Sequence, residues 1–260
     1  SLNALAALAG AGLVFVGFGS LGFRRLFGIT GAVVIVGGIV AILWSLRRTV
    51  LPERESDRQS LDAIHPVQRT PVRRRYWLYY VLQFLMGSRR HIFTTFAVFL
   101  LVRTYEVPAE TITVLFLINN LIGTFFYRQI GRIIAQFGER RALTVNFMLL
   151  ILVFLGYAYV PVLPILYVLF VVDHMLFEFR IALQSYFQKI AVHPREITSN
   201  LSLGQTINHI AAVIIPVVGG VVWKTVGSDY TFLVGVGIVS VSLILVQSMQ
   251  VDRSSEWSGE

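Results

Sequence analysis

The residues of this chain with the most chemical reach are ionisable groups set inside apolar sequence. Asp173, His174, Glu178, Arg180 and Gln184 all fall within one hydrophobic stretch, 163–189. On a helix Asp173 and Arg180, seven apart, share a face, and His174 and Glu178, four apart, share the adjacent one. A carboxylate beside a histidine can relay protons, because burial and neighbours bring such groups toward neutral pH. The same set can bind a cation or close into a salt-bridged network. A second cluster, Gln83, Arg89, Arg90 and His91, has its arginines more than ten residues from either end of the stretch 77–103. It reads as an anion or carboxylate clamp, or as the partner of an acidic residue. Adjacent side chains diverge by about 100° around a helix, so at most one of the two arginines points straight into a central cavity.

A third group is Gln205, Thr206, Asn208 and His209, followed by Pro216, Gly219 and Gly220. The amides and imidazole suit a polar path or bonds between helices. Pro216 removes a helical hydrogen bond and, with the glycines, reads as a hinge. Asn119 and Asn120 are cavity residues or interhelical bonds of the same kind. Other chemistry finds little support. There is no cysteine, which excludes thiolate metal sites and thiol catalysis. No glycine-rich phosphate loop with a lysine is present. His65, His91, His174, His193 and His209 lack zincin spacing. No catalytic residue, metal site or cofactor is expected, and the chain does not read as an enzyme. The competing enzymatic reading would use His174, His209 and the carboxylates as intramembrane metal ligands.

These groups must be held by membrane-spanning elements. Residues 142–172 carry no charge until Asp173, and a bilayer core asks for about 20 apolar residues per helical span. Hydrophobic residues make up 55% of the chain and charged ones 14%, with a mean hydropathy of +0.71; a soluble chain usually carries about 25% charge. Spans are expected near 2–22, 26–46, 77–103, 109–128, 142–160, 163–189, 199–224 and 230–250, all helical because lipid offers the backbone no partners. Polar groups at that depth are unfavourable and mark ion or substrate paths. The Arg-rich, proline-broken segment 47–76 reads as a linker between a two-span part, 1–46, and a six-span bundle, 77–250, with a tail at 251–260. The formal charge of +8 follows a loop bias. Arg128, Arg132, Arg140, Arg141, Lys189, Arg195 and Arg253 fall on the linker's side, against Arg24, Arg25, Arg103 and Lys224 opposite. The linker and C-terminus are therefore expected in the cytoplasm, and nucleic acid is not an expected partner. The chain starts at Ser1 with no signal-peptide pattern, and is expected to be a fragment.

Between the fourth and fifth spans runs Gly131-Arg132-Ile133-Ile134-Ala135-Gln136-Phe137-Gly138-Glu139-Arg140-Arg141. Two glycines seven apart and a closing arginine pair in a short cytoplasmic loop resemble the loop signature of the major facilitator superfamily. Ala135 and Gln136 stand where that pattern usually has an acidic and a basic residue. In the family the signature follows the second span and, more weakly, the eighth, and helps latch one conformation. The resemblance implies an all-α polytopic bundle of about eight transmembrane helices, matching family spans five to twelve with a complete C-terminal six-helix half. Four further N-terminal helices are implied as a partner. It implies a secondary transporter of a small molecule or ion, by symport or antiport and proton-coupled through the 173–178 cluster, in contact with membrane lipid in a bacterial or archaeal plasma membrane. The alternative is a polytopic scaffold or assembly subunit that transports nothing. In the family, helices seven, eight, ten and eleven border the cavity, which places Arg89, Arg90, His91, Asn119, Asn120, Asp173, His174, Glu178, Arg180, Gln205, Asn208 and His209 on cavity helices.

Overall fold

Helices are the regular elements among the described residues of the computed structural model, which are 72–249 and five helical positions, Ala32, Ile35, Val36, Ile39 and Leu43. The rest of the first two expected spans, the linker up to residue 71 and the tail lie outside them. The chain divides into two units, one of Ala9–Pro71 and one built on Val72–Glu260. In the smaller unit Ile35, Val36, Ile39 and Leu43 are exposed apolar positions on a helix.

In the larger unit, α1 (Trp77–Ile92) passes through a π-helical turn, Phe93–Ala97, into α2 (Val98–Arg103). Then follow α3 (Ala109–Phe137), α4 (Glu139–Tyr159), α5 (Leu163–Phe177), α6 (Arg180–Ile190), α7 (Pro194–Thr225) and α8 (Ser228–Gln247). Local sequence sets several boundaries. Pro164 and Pro194 occupy the first turns of α5 and α7, where their missing N–H groups cost no helical bond. The residue before Pro161 resists the helical region, and α4 ends at Tyr159. Glu139 and Glu196 lie in first turns, where the helix dipole favours negative charge.

Among the described residues, five helical segments are long and apolar enough to cross a membrane: Arg74–Arg103, Ala109–Phe126, Glu139–Tyr159, Glu196–Thr225 and Ser228–Gln247. The expected span 163–189 is instead two helices. At Glu178 and Phe179 the backbone tightens to bonds of the 3₁₀ kind, with Phe179 N–H donating to the Leu176 carbonyl at 3.3 Å and Ala182 N–H to the Phe179 carbonyl at 2.9 Å. Neither glycine nor proline stands there to announce it.

The 131–141 segment also departs from expectation. It is α-helix through Phe137, so α3 runs nine residues past the expected end of its span at 128, and the turn to α4 is Gly138 alone, at φ +81°. Gly131 lies within the helix and makes no turn. A stretch that hydropathy reads as a polar loop is a helix whose end rises beyond the apolar region.

Packing follows the small residues. A Cβ on Gly87 of α1 would stand 2.9 Å from Asn208 Nδ2, and one on Gly204 of α7 would overlap the Tyr79 hydroxyl. Only glycine lets α1 and α7 approach so closely, the usual device where the hydrophobic effect cannot drive helices together. On α4, Phe147, Leu150 and Phe154 are buried against neighbouring helices while Val145, Met148 and Leu152 are exposed. A helix apolar on both faces is stable where lipid takes the place of water on the outer one.

Candidate functional site

Along the second half of α1 and near the middle of α7 the bundle opens into a cavity of about 240 Å³. Its walls are Gln83, Met86, Arg90 and His91 of α1, Phe177 at the end of α5, Arg180 and Gln184 of α6, and Gln205, Asn208 and His209 of α7. Arg90 is near the middle of the segment Arg74–Arg103, and Asn208 and His209 near the middle of Glu196–Thr225. The lining helices are irregular close to this level. The π turn begins at Phe93, two residues after His91, the α5–α6 break follows Phe177, and Pro216 stands about two turns beyond His209. Interrupted helices at membrane depth are tolerated where they border a cavity or protein, and such breaks carry solute sites in many carriers.

Arg89 and Arg90 part company as their helical phase requires. Arg89 points into the bundle, fully buried, and its Nη1 donates to Asp173 Oδ1 at 2.9 Å. Its Nε and Nη2 find no partner among the described residues. Arg90 turns to the cavity, with its guanidinium carbon 3.4 Å from the centroid of Phe177. Arg180 and Arg89 stand 5.3 and 5.6 Å from that same centroid. One phenyl ring thus has three cations round it, each drawn to the ring's negative face and each repelling the others.

The remaining expected residues divide in the same way. Arg180, His91, Gln205, Asn208 and His209 come together at the cavity. Asp173 stands behind it, as Arg89's counter-ion. His174 turns toward α3, its Nε2 3.8 Å from where a Cβ on Gly123 would be. Glu178 belongs to the helix break and does not line the cavity, and no hydrogen bond or ion pair joins it to His174 among the described residues. The expected four-residue pair on one helix face therefore does not form, because the helix changes path at Glu178. Asn119 is buried with its Oδ1 unpartnered, and Asn120 Nδ2 donates to the Phe116 carbonyl of its own helix at 2.8 Å; neither reaches the cavity. Among the described residues no three His, Asp or Glu side chains are grouped to hold a metal ion.

Two polar clusters at the end of the bundle where α1 begins were not among the expected site residues. Glu196, in the first turn of α7, accepts from Arg73 Nη2 at 2.6 Å and from the Tyr76 hydroxyl at 2.6 Å. That carboxylate holds the exposed Arg73 guanidinium above its ordinary pKa. Tyr76 accepts in turn from Val192 N–H at 3.0 Å, and the Tyr80 hydroxyl donates to Asn200 Oδ1. Glu139, buried at the start of α4, takes Lys189 Nζ at 2.6 Å and the Ser185 hydroxyl at 2.7 Å from the end of α6. The one signal for these carboxylates was an acidic residue in the first turn of a helix. Beside Glu139, Arg140 Nη2 donates to Gln247 Oε1 of α8 at 3.2 Å, while Arg132 and Arg141 are exposed.

The family model described as Major Facilitator Superfamily matches residues 1–193 of the chain. No curated protein matches it.

Proposed function

The chain belongs to the major facilitator superfamily, a family of membrane transporters, and from that premise we propose that it moves a small solute by secondary active transport with alternating access. The observation that carries this reading is the cavity. It lies at mid-span, is walled by two interrupted helical paths and a continuous helix that contains a proline, and gathers polar side chains that a structural bundle would pair off. Midplane sites at broken helices are what rocking-bundle carriers need. The end of the bundle with Arg73, Glu139, Lys189 and Glu196 is taken as cytoplasmic, from the excess of Arg and Lys there. Their ion pairs would tie helix ends together on that side.

Proton coupling, by symport or antiport, is part of the same reading. Asp173 is a carboxylate buried within the span, and Arg89 is its counter-ion. A proton on Asp173 would cancel that pair and free a cation beside the cavity. Asp173 therefore takes the coupling role in preference to Glu178, which has no such partner among the described residues.

The chain has no cysteine, so a single Gln205→Cys substitution gives one reactive thiol at the cavity. In vesicles of both orientations, a membrane-impermeant thiol reagent should label it from each face. Labelling from one face only, or from neither, would reject alternating access and favour a structural role.

A further inference from the structure

The cavity is cationic, and no acid among the described residues lines it. Arg90 and Arg180 both face it, and among the described residues neither is bridged to a carboxylate. Arg89 is answered by Asp173. Among the described residues, the acidic groups of the α5–α6 path beside the cavity are Asp173, in α5, and Glu178, at the break. Three guanidinium groups against these two carboxylates leave one positive charge in excess, even when Glu178 is counted from outside the lining. An unbalanced guanidinium at membrane depth is strongly unfavourable. Arg180 Nε and His91 Nε2, on two of the lining residues, are also buried without a partner among the described residues. Gln184, Gln205 and Asn208 add amide donors around the same space.

A cation entering here would meet two like charges and no carboxylate. An anion would balance the excess charge and supply acceptor oxygens to donors that lack them. Arginine is suited to this task, since its planar fork meets two oxygens of a carboxylate or phosphate at once. At about 240 Å³ the space is below the ~300–1,000 Å³ usual for drug-sized ligands, so the ligand is compact.

We propose that the solute is a small oxyanion, bound through its carboxylate or phosphate oxygens between Arg90 and Arg180. Naming it a solute rests on the transport reading above, whereas anion binding at the cavity stands without it.

The test is thermal unfolding of the purified full chain in detergent, with succinate, inorganic phosphate, choline or glucose added in turn. Succinate or phosphate should raise the Tm by several degrees in a saturable way, and choline and glucose should leave it unchanged. A response to succinate alone assigns a carboxylate, and one to phosphate alone a phosphate. Arg90→Gln should weaken the half-saturating concentration at least about tenfold, the loss of one good charged contact. Gln184→Glu is the second variant. It keeps both arginines and places a carboxylate one turn from Arg180, so the fold is spared while the anion is displaced from within. The proposal is overturned if no anion shifts the Tm, if choline acts as strongly as succinate, or if the anion response survives both substitutions. Two-sided labelling at Gln205→Cys without an anion response sinks this inference and spares alternating access; an anion response with one-sided labelling does the reverse.

Discussion

Arg89 and Asp173 meet at 2.9 Å between α1 and α5, with side chains 0% and 5% exposed. Removing one member of a buried pair strands the other, at a cost of about 3–5 kcal/mol, whereas replacing both with apolar groups of similar size is often nearly neutral. Arg89→Met alone and Asp173→Leu alone should each lower thermal stability by about that amount. The double variant should be more stable than either single one. Thermal unfolding of the four proteins in detergent measures this, and additive losses would show that the two residues are not coupled.

The same pair offers a handle on protons. If Asp173 is the coupling carboxylate, lowering the pH loads it and takes away Arg89's counter-ion, and the balance between inward and outward labelling at Gln205→Cys should shift with pH. With Asp173→Asn added, the carboxylate can no longer titrate and the labelling ratio should become flat in pH. With Glu178→Gln it should keep its slope. A flat profile in the Glu178 variant, with the Asp173 variant unchanged, would move the coupling role to the helix break.

The two glycines of the 131–138 segment should respond with opposite sign. Gly138 has φ +81° and ψ 159°, a region nearly closed to residues with a Cβ, so Gly138→Ala should cost about 1–3 kcal/mol although nothing stands within 4 Å of the added carbon. Gly131 is exposed within α3 with open space around it. There alanine should stabilise by about 0.5–1 kcal/mol, through helix propensity. Equal effects at the two sites would mean that the turn does not depend on Gly138.

Long apolar elements were legible because lipid imposes one rule on them: α4 was expected at 142–160 and is found at Glu139–Tyr159. What hydropathy cannot see is how backbone bonds are made. The π turn at Phe93–Ala97, the break at Glu178–Phe179 and the helical path through Gly131 therefore escape it. Of the site, the residue types were legible but their pairing was not. Helical phase limits direct access to the cavity to one of Arg89 and Arg90, yet which one depends on Asp173 lying opposite Arg89 on another helix. Glu139 and Glu196 stand at helix ends, where an acid is ordinary. Their bonds to Lys189 and Arg73 are set by how the bundle closes.

Glu139 and Lys189 should not be equivalent, although they share one bond of 2.6 Å. Glu139 is 4% exposed and also accepts from Ser185, while Lys189 is 49% exposed. Lys189→Met removes a half-solvated charge and leaves the Glu139 carboxylate its bond from Ser185 and its place in the first turn of α4, so it should cost no more than about 1 kcal/mol. Glu139→Ala leaves the Ser185 hydroxyl and the lysine without their acceptor, and should cost about 1–3 kcal/mol. Raising the salt concentration should narrow the lysine effect more than the glutamate one. A lysine variant as damaging as the glutamate one would show that the ion pair, and not the buried acceptor, holds α4 to α6.

Gly219 and Gly220 separate packing from bending in α7. The helix is continuous from Pro194 to Thr225, with Pro216 inside it, so the segment expected to act as a hinge is helical throughout. A methyl group on Gly219 would overlap Phe96, whose ring stacks on Trp223 at 5.6 Å and 18°. Gly219→Ala should therefore cost about 1–3 kcal/mol by overpacking. Nothing stands within 4 Å of a Cβ on Gly220, and Gly220→Ala should leave stability unchanged or slightly raised. That makes Gly220 the cleaner probe of motion. If the Pro216–Gly220 segment bends between inward and outward states, Gly220→Ala should reduce labelling of Gln205→Cys from one face at unaltered Tm. Labelling equal to that of the parent would assign the segment to helix packing alone.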